Sequence, residues 1–425
     1  MKRYLEKNVY DAARDRIKYV FDNFEQVVVS FSGGKDSGII LNMALEYAKE
    51  AGVLNKLSVY HMDYEAQYQM TTDYVGRTFK SLPKEVKQYW VCLPIKAQCA
   101  TSMFQDHWKP WLFKDKDIWC RELPSNCINE RNYPFSFDYN LWDYEFNVAF
   151  GKELSKDKKT AFIIGIRAQE SLNRFRAVAR DDVNRLDGKN WTVKVTDNLY
   201  NVYPIYDWET EDVWVANARF GWDYNKLYDL YYQAGLTIHQ MRVASPFNDC
   251  AMDSLKLYKA IDPNNWGKMV GRVNGVNFAG LYGGTTAMGW RSIELPKGHT
   301  WKSYMYFLLS TLPKDIRYNY LEKLEASKKS WLKGGLRDKQ TISELEAEGA
   351  EFTRTGIFKG DKEVIRFNDY LDDTTATDFS RVPTYKRMCI CIMKNDHACK
   401  YMGFSQNKRE RQKRKAIMDK YKSLL

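Results

Sequence analysis

The first regular pattern along the chain is a single apolar stripe: Ile17, Val20, Phe21 and Phe24 recur at i, i+3, i+4 and i+7, predicting an amphipathic helix over about residues 10–24. The period then collapses into a continuous β-branched run, Val27-Val28-Val29-Ser30-Phe31, as expected of a strand buried on both faces of a parallel sheet. Ser32-Gly33-Gly34-Lys35-Asp36-Ser37 follows at once, and then a helical stripe of Ile40, Met43, Ala44, Tyr47 and Ala48 that stops near Gly52. Strand, glycine turn and helix make the first unit of a doubly wound α/β fold. The unit recurs. Leu57–Met62 reads as a second strand ending at Asp63, with a helix from about Thr71 to Lys80. Gln88–Cys92, Thr160–Gly165 and Val202–Ile205 read as the third, fourth and fifth strands, and a further helix begins at Glu211. The expectation is a mostly parallel five-stranded sheet in residues 1–245.

Between the third and fourth strands lies an insertion of about residues 96–150. Thirteen of residues 104–150 are Phe, Trp or Tyr, so this segment should be packed rather than loose. From about 245 the character changes to helical patches, a glycine-rich stretch, an acidic helix near Glu344–Glu351 and a basic end, predicting a mainly helical extension over 246–425.

Composition narrows the class. With 425 residues, 44% hydrophobic and 15% aromatic, the chain can bury a sizeable core, which excludes wholesale disorder. No apolar run approaches a membrane span, and charges interrupt any signal core near the N-terminus, so no membrane contact is expected. Eight cysteines without a dense framework point to reduced thiols and a cytoplasmic location. The net charge of +11 is concentrated: residues 381–425 hold 13 Lys/Arg against 3 acids. The run Lys408–Lys415, beside Tyr401 and Phe404, could contact a nucleic acid or another polyanion, or could be a solvated face.

The chemistry centres on residues 32–37. Two glycines let the backbone take positive φ and approach a ligand, the following helix offers unpaired N–H groups and partial positive charge, and Ser32 and Ser37 add hydroxyls. These are the parts of an oxyanion cradle, although a glycine turn with a capping Ser and Asp would read similarly. Neither the G-x-x-x-x-G-K-[ST] loop nor the G-x-G-x-x-G fingerprint fits.

Ser32–Ser37 resembles the SGGKDS loop of the PP-loop superfamily, whose members bind ATP or an adenylyl compound. Gly165-Ile166-Arg167-Ala168-Gln169-Glu170-Ser171-Leu172-Asn173-Arg174 looks like the G-[IL]-R-x-x-[EQ]-S-x-x-R segment of phosphoadenosine phosphosulfate (PAPS) reductases. Pro204, Asp207-Trp208, Asp212-Val213-Trp214 and Tyr224–Tyr228 resemble the stretch that follows in that family. The resemblance covers about residues 25–235 and implies an adenine nucleotide alpha hydrolase-like sheet, with ATP or PAPS held by residues 32–37, Gly165, Arg167, Glu170, Ser171 and Arg174. Lys35, Asp36, Asp63 and Arg167 are the candidate catalytic groups. Gly165 could let an adenine or ribose lie against backbone, the Arg167 and Arg174 forks suit phosphate or sulfate, and Glu170 could orient them. Arg167, Glu170 and Arg174 could equally form a surface ladder. Asp63 could hold Mg²⁺ or serve as a turn residue, and His61 reads as a packed histidine.

One reductase feature is missing: no E-C-G-[IL]-H segment supplies the cysteine that would attack sulfur. Cys389, Cys391, His397 and Cys399 could hold zinc or carry sulfur, or Cys389–Ile392 could be a strand of buried structural thiols, which leaves zinc and Fe–S clusters in the background. Three functions follow: an adenine-nucleotide enzyme that adenylates or thiolates a substrate, a PAPS reductase using a C-terminal cysteine, or a nucleotide-sensing regulatory or nucleic-acid-binding protein. The long C-terminal extension looks like the branch of immunoglobulin-binding regulator proteins, a resemblance that implies a ParB/sulfiredoxin-like protein partner.

Overall fold

A computed structural model describes residues 5–179, 184–243, 245–282, 293–358, 362–379 and 382–404; the basic run 408–415 lies outside them. The chain divides into two compact units, one of residues 1–98 and 107–273, the other of 99–106 and 274–425.

In the first unit, β1 (Gln26–Ser30), β2 (Leu57–Met62), β3 (Lys87–Cys92), β6 (Ile128–Asn129), β7 (Thr160–Ile163), β8 (Thr192–Lys194) and β9 (Leu199–Val202) form one sheet in the order β6-β3-β2-β1-β7-β9-β8. All its pairs are parallel except β8 with β9. The sheet is therefore seven-stranded, not five-stranded, because β6 and β8 are too short to print a period in the sequence. The last parallel strand sits three residues earlier than Val202–Ile205. Its ladder stops at Val202, ahead of Pro204, which has no N–H to donate.

The helices are α1 (Val9–Asn23), α2 (Lys35–Glu50), α3 (Gln69–Ser81), α4 (Asp143–Leu154), α5 (Leu172–Ala179), α6 (Thr210–Phe220), α7 (Leu227–Gln233), α8 (Lys256–Ile261) and α9 (Pro263–Arg272). The valine run of β1 is buried on both faces. Val27 and Val29 pack with Ile17, Val20 and Phe21 of α1 and Ile40 and Ala44 of α2. Val28 packs on the other face with Phe146 and Phe150 of α4, while Tyr133, Phe135 and Phe137 of the insertion close over that side. The aromatic insertion is thus core-forming.

Two buried carboxylates tie the insertion to the end of β2. Asp63, fully buried, accepts from Arg121, from Trp90 Nε1 at 2.7 Å and from the Glu65 N–H at 2.9 Å. Glu65, also fully buried, accepts from the N–H groups of Trp111 (2.8 Å) and Cys120 (3.0 Å) and from Arg272 Nε (2.9 Å) at the end of α9.

Residues 97–102 (β4, Ala97–Ser102) and 105–108 (β5, Gln105–Trp108) pair as a separate ribbon. Its portion within the second unit is bound by that unit: Thr101 Oγ1 donates to the Asn274 carbonyl at 2.7 Å, Asn395 Nδ2 to the Ala100 carbonyl at 3.4 Å, and His397 Nε2 lies 3.2 Å from the Ser102 carbonyl. A Cβ on Gly275 would sit 2.2 Å from the Thr101 oxygen, so only glycine permits that approach.

The second unit holds α10 (Val276–Tyr282), α11 (Trp301–Ser310), α12 (Lys314–Gly334), α13 (Lys339–Ala347), the antiparallel pair β10 (Thr353–Phe358) and β11 (Lys362–Arg366), and α14 (Tyr385–Met393). Cys389–Ile392 is helix, not strand: Tyr385, Met388, Cys389 and Ile392 form a helical stripe against Trp301 and Met305 of α11 and Tyr320 and Leu324 of α12. Thr384 caps α14 by accepting from the Arg387 N–H.

Replacing Glu65 by Gln removes the closer of the two carboxylates that meet the buried Arg272, leaving it Asp115 at 3.3 Å, and removing one partner of a buried pair costs about 3 kcal/mol. The urea midpoint followed by tryptophan fluorescence, with Trp111 hydrogen-bonded to Glu65, should fall accordingly. An unchanged midpoint would show that these pairs contribute nothing to anchoring the insertion.

Candidate functional site

The site forms at the carboxyl end of β1, where α2 begins. Gly33 takes φ +75°, a left-handed conformation that glycine adopts without strain, and a Cβ there would lie 3.0 Å from methyl groups of Thr71 and Val75 on α3. Gly34 is the N-cap of α2 and supplies no side-chain cap, leaving the helix start without the usual internal acceptor. The hydroxyls stabilise the turn itself. The Ser32 N–H donates to Ser37 Oγ at 3.2 Å, and Ser37 Oγ donates to the Gly34 carbonyl at 3.0 Å.

The third motif braces this turn. Asn225, fully buried, donates through Nδ2 to the Gly33 carbonyl at 3.0 Å and to Thr71 Oγ1 at 2.9 Å. Tyr228 Oη accepts from the Lys35 N–H at 3.0 Å. Pro204 and Asp207 receive Arg16 of α1, the Asp207 carboxylate bidentately at 2.7 Å, and Trp208 donates to the Val9 carbonyl. Asp212 closes a capping box at α6 with the Glu209 N–H. Asn225 and Tyr228 thus hold the glycine turn, while the earlier residues of the motif fasten α1 and cap α6.

Lys35 is only 6% exposed. Its Nζ lies 3.3 Å from Asp36 and 3.4 Å from the Met241 carbonyl. Burial pushes its pKa below the ordinary lysine value, Asp36 opposes the shift, and Arg167 and Arg242 add to it. Arg167, 2% exposed, has its fork taken by protein: Nε to Asp36 at 2.6 Å, Nη2 to Glu170 at 2.9 Å, and Nη1 to Thr210 at 3.2 Å. It is therefore a positioning residue, not a direct phosphate clamp. Glu170 pairs with both Arg167 and Arg174.

A cleft of about 300 Å³ opens over this turn, lined by Ser32, Gly34, Lys35, Asp36, Ser37 and Gly165 together with Glu170, Arg174, Tyr228 and Arg242. A second hollow of about 240 Å³ shares Lys35, Glu170 and Arg242 with it and adds Arg167, Thr210 and His239. Most of the residues marked in the sequence thus converge.

Besides Arg167, three are placed differently from the expectation. Gly165 lines the cleft, but the space of its missing Cβ is filled by α2, since that atom would sit 3.0 Å from the Asp36 carbonyl carbon and 3.2 Å from the Ser37 nitrogen. The missing Cβ is what permits this close strand–helix approach. Ser171 is exposed and accepts from the Arg174 N–H at the start of α5. Asp63 is withdrawn from Mg²⁺ binding: burial favours its neutral form, but Arg121, His61 and Trp90 hold the carboxyl below the usual range, and its oxygens are engaged by protein. His61 is packed as expected, its Nδ1 2.7 Å from the Phe31 carbonyl.

Arg242 escaped sequence reasoning. It lies in an irregular segment with no local pattern, and only its position over the cleft reveals it. Tyr228 and Asn225 stood in a recognised motif, but nothing in the string assigns them to the turn.

In the second unit Cys389, Cys391 and Cys399 are fully buried. Burial pushes the Cys389 thiol up to about 12 and Cys391 well above its usual range. His397 turns its Nε2 to the Ser102 carbonyl. Among the described residues no group of three or more His, Cys, Asp or Glu is arranged to hold a metal ion, so the zinc expectation for this set is not met. Nor is any described helix long and apolar enough to cross a membrane.

The sequence matches the phosphoadenosine phosphosulfate reductase domain over residues 26–234 and a domain of unknown function, DUF3440, over 235–413. It is 32% identical over 411 residues to the uncharacterized protein YbdN of Escherichia coli (strain K12), covering 95% of this chain and 92% of that one. Among solved structures, the Candida glabrata FMN adenylyltransferase is 14% identical over 52% of this chain, which spans 57% of its length, with a TM-score of 0.31. The PAPS reductase of Candida auris is 12% identical over 54% of this chain and 93% of its own, with a TM-score of 0.27. With a glycine turn at a strand–helix junction and a full-length relative of this similarity, the chain belongs to the PAPS reductase-like family of PP-loop proteins that carry the DUF3440 extension.

Proposed function

We propose that the first unit is an adenine-nucleotide enzyme that binds ATP, or an adenylyl sulfate compound, with its phosphates over residues 32–37, and that it cleaves at the α-phosphorus to adenylate or thiolate a substrate. The observation that carries this reading is the start of α2: a helix N-terminus without a side-chain cap, facing a cleft of about 300 Å³ that also holds the buried Lys35. Such a terminus presents amides and partial positive charge to an anion. Lys35 adds a full charge in a poorly hydrated place, where its attraction for a departing pyrophosphate exceeds that of an exposed lysine. Asp36 would repel phosphate, but Arg167 and Lys35 balance its charge. Arg174 and Arg242 supply further cations on the cleft wall.

Reduction of PAPS by a C-terminal cysteine receives less support. Attack on sulfur needs a thiolate, and Cys389, Cys391 and Cys399 are fully buried, the first two with raised pKa values.

Calorimetric titration should give binding of ATP with magnesium, weakened about 10- to 100-fold in Lys35→Ala, the range for losing a hydrogen bond to a charged group. Because Lys35 is charged only below its lowered pKa, affinity should fall as pH rises before reaching the ordinary lysine range, and this fall should vanish in Lys35→Ala. Pyrophosphate release supported by wild type and lost in the variant identifies an enzyme; tight binding without release from any acceptor identifies a sensor. Absence of heat with both ATP and PAPS overturns the proposal.

Gly165→Ala drives a Cβ into the backbone of α2, an overpacking of about 1–3 kcal/mol that displaces the helix start. ATP affinity should drop about tenfold while the far-ultraviolet circular dichroism spectrum is retained. An unchanged affinity would mean that the start of α2 does not set the site.

A further inference from the structure

The cleft over the glycine turn and the hollow of about 240 Å³ beside it share Lys35, Glu170 and Arg242 as common wall, whereas Arg167, Thr210, Ile238 and His239 line the hollow and not the cleft. Ile238, His239 and Arg242 come from the segment after α7, where the match to the reductase domain has ended at residue 234 and the match to DUF3440 has begun at 235. The DUF3440 stretch therefore builds part of the hollow from within the first unit.

The hollow is smaller than the roughly 300–1,000 Å³ that encloses a drug-sized ligand, so it suits a small molecule. Its walls offer donors and positive charge. Thr210, 4% exposed, accepts through Oγ1 from Arg167, and among the described residues nothing takes its own hydroxyl proton. Arg242 spends Nη2 on the Glu170 carbonyl at 3.4 Å, and Lys35 lies on the common wall. The carboxylate there, Glu170, is already matched by Arg167 and Arg174, and the exposed His239 pairs with Glu211 at 3.4 Å. Such walls attract an anion, while Lys35 and Arg242 repel an ammonium group.

We propose that this hollow is the acceptor subsite, and that its ligand is a small organic acid without an amino group, activated through its carboxylate. The inference rests on the reading of the neighbouring cleft as an ATP site. A carboxylate oxygen attacks the α-phosphorus, the bond from that phosphorus to the oxygen bridging the β-phosphate breaks, and pyrophosphate leaves with the bridging oxygen and its electron pair. The product is an acyl adenylate. No proton moves in this step, which suits walls whose carboxylate is engaged by two arginines; an alcohol or amine would instead need a base. Lys35, common to cleft and hollow, meets the charge that builds where acceptor and nucleotide join.

The test is exchange of radiolabelled pyrophosphate into ATP by the full chain with magnesium, driven in turn by acetate, succinate, glutarate and benzoate, with acetamide and benzamide as neutral controls. At least one acid should raise exchange more than about tenfold over its absence, and the amides should not. Ile238→Trp places an indole in the hollow from a residue that does not line the cleft, and should raise the half-saturating concentration of that acid more than about tenfold further than that of ATP. Thr210→Val keeps the shape and removes the donor; it should raise the same concentration about tenfold, as for a lost hydrogen bond to a charged group, and decides the matter if the tryptophan variant folds poorly. Calorimetric binding of ATP without exchange from any of the acids overturns this inference and leaves the nucleotide reading standing, whereas absence of ATP binding removes both. Exchange driven equally by the amides overturns it as well. So does tighter binding of adenosine 3′,5′-bisphosphate than of AMP that disappears in Thr210→Val, because the hollow would then hold a phosphate of the nucleotide itself.

Discussion

A helix that starts without a side-chain cap must have its exposed amides and partial charge answered from elsewhere, and much of the first unit is arranged around that requirement at α2. Gly33 and Gly34 bring the chain out of β1 in a geometry that other residues would strain or block, with Thr71 and Val75 of α3 against the turn. Asn225 fixes the Gly33 carbonyl, Tyr228 takes the Lys35 amide, and Arg167 balances Asp36. The second and third motifs, both well over a hundred residues from the first along the chain, therefore brace one turn. Little of this is direct ligand chemistry. Most of the motif residues preorganise the few groups left to meet an anion.

The insertion is stabilised on the opposite logic, with charges taken out of water and matched in place. Asp63 with Arg121 and Glu65 with Arg272 are pairs whose desolvation is large, and they persist because backbone amides and indole N–H groups satisfy the remaining lone pairs. The same matching that anchors the insertion deprives Asp63 of any free oxygen for a cation. Its position at the end of a central strand suggested a catalytic ion site, whereas its surroundings make it an internal fastener.

What could be read from the sequence follows from how local the determining physics is. The valine run of β1, the stripes of α1 and α2 and the glycine turn carry their signals within a dozen residues, and each lies where the pattern places it. Strands β6 and β8 have two and three residues, too few for any period, so the sheet came out two strands short. Cys389-Ile390-Cys391-Ile392 alternates like a strand, but the residues that decide its state are Tyr385 and Met388, one helical turn earlier, and the packing of α11 and α12. Arg167 was legible as an important fork, but its partners Asp36 and Thr210 lie 131 and 43 residues away, so its inward engagement was invisible. Arg242 has no pattern of its own.

The second unit is not a continuous stretch of chain: residues 99–106 belong to it although all of 107–273 intervenes. During synthesis those eight residues leave the ribosome early and wait for Asn274, Gly275, Asn395 and His397 to arrive before their carbonyls and hydroxyl find partners. A gene fragment begun at residue 274 would accordingly encode a body missing one of its own pieces, and the two units are coupled in biogenesis by the path of the polypeptide itself.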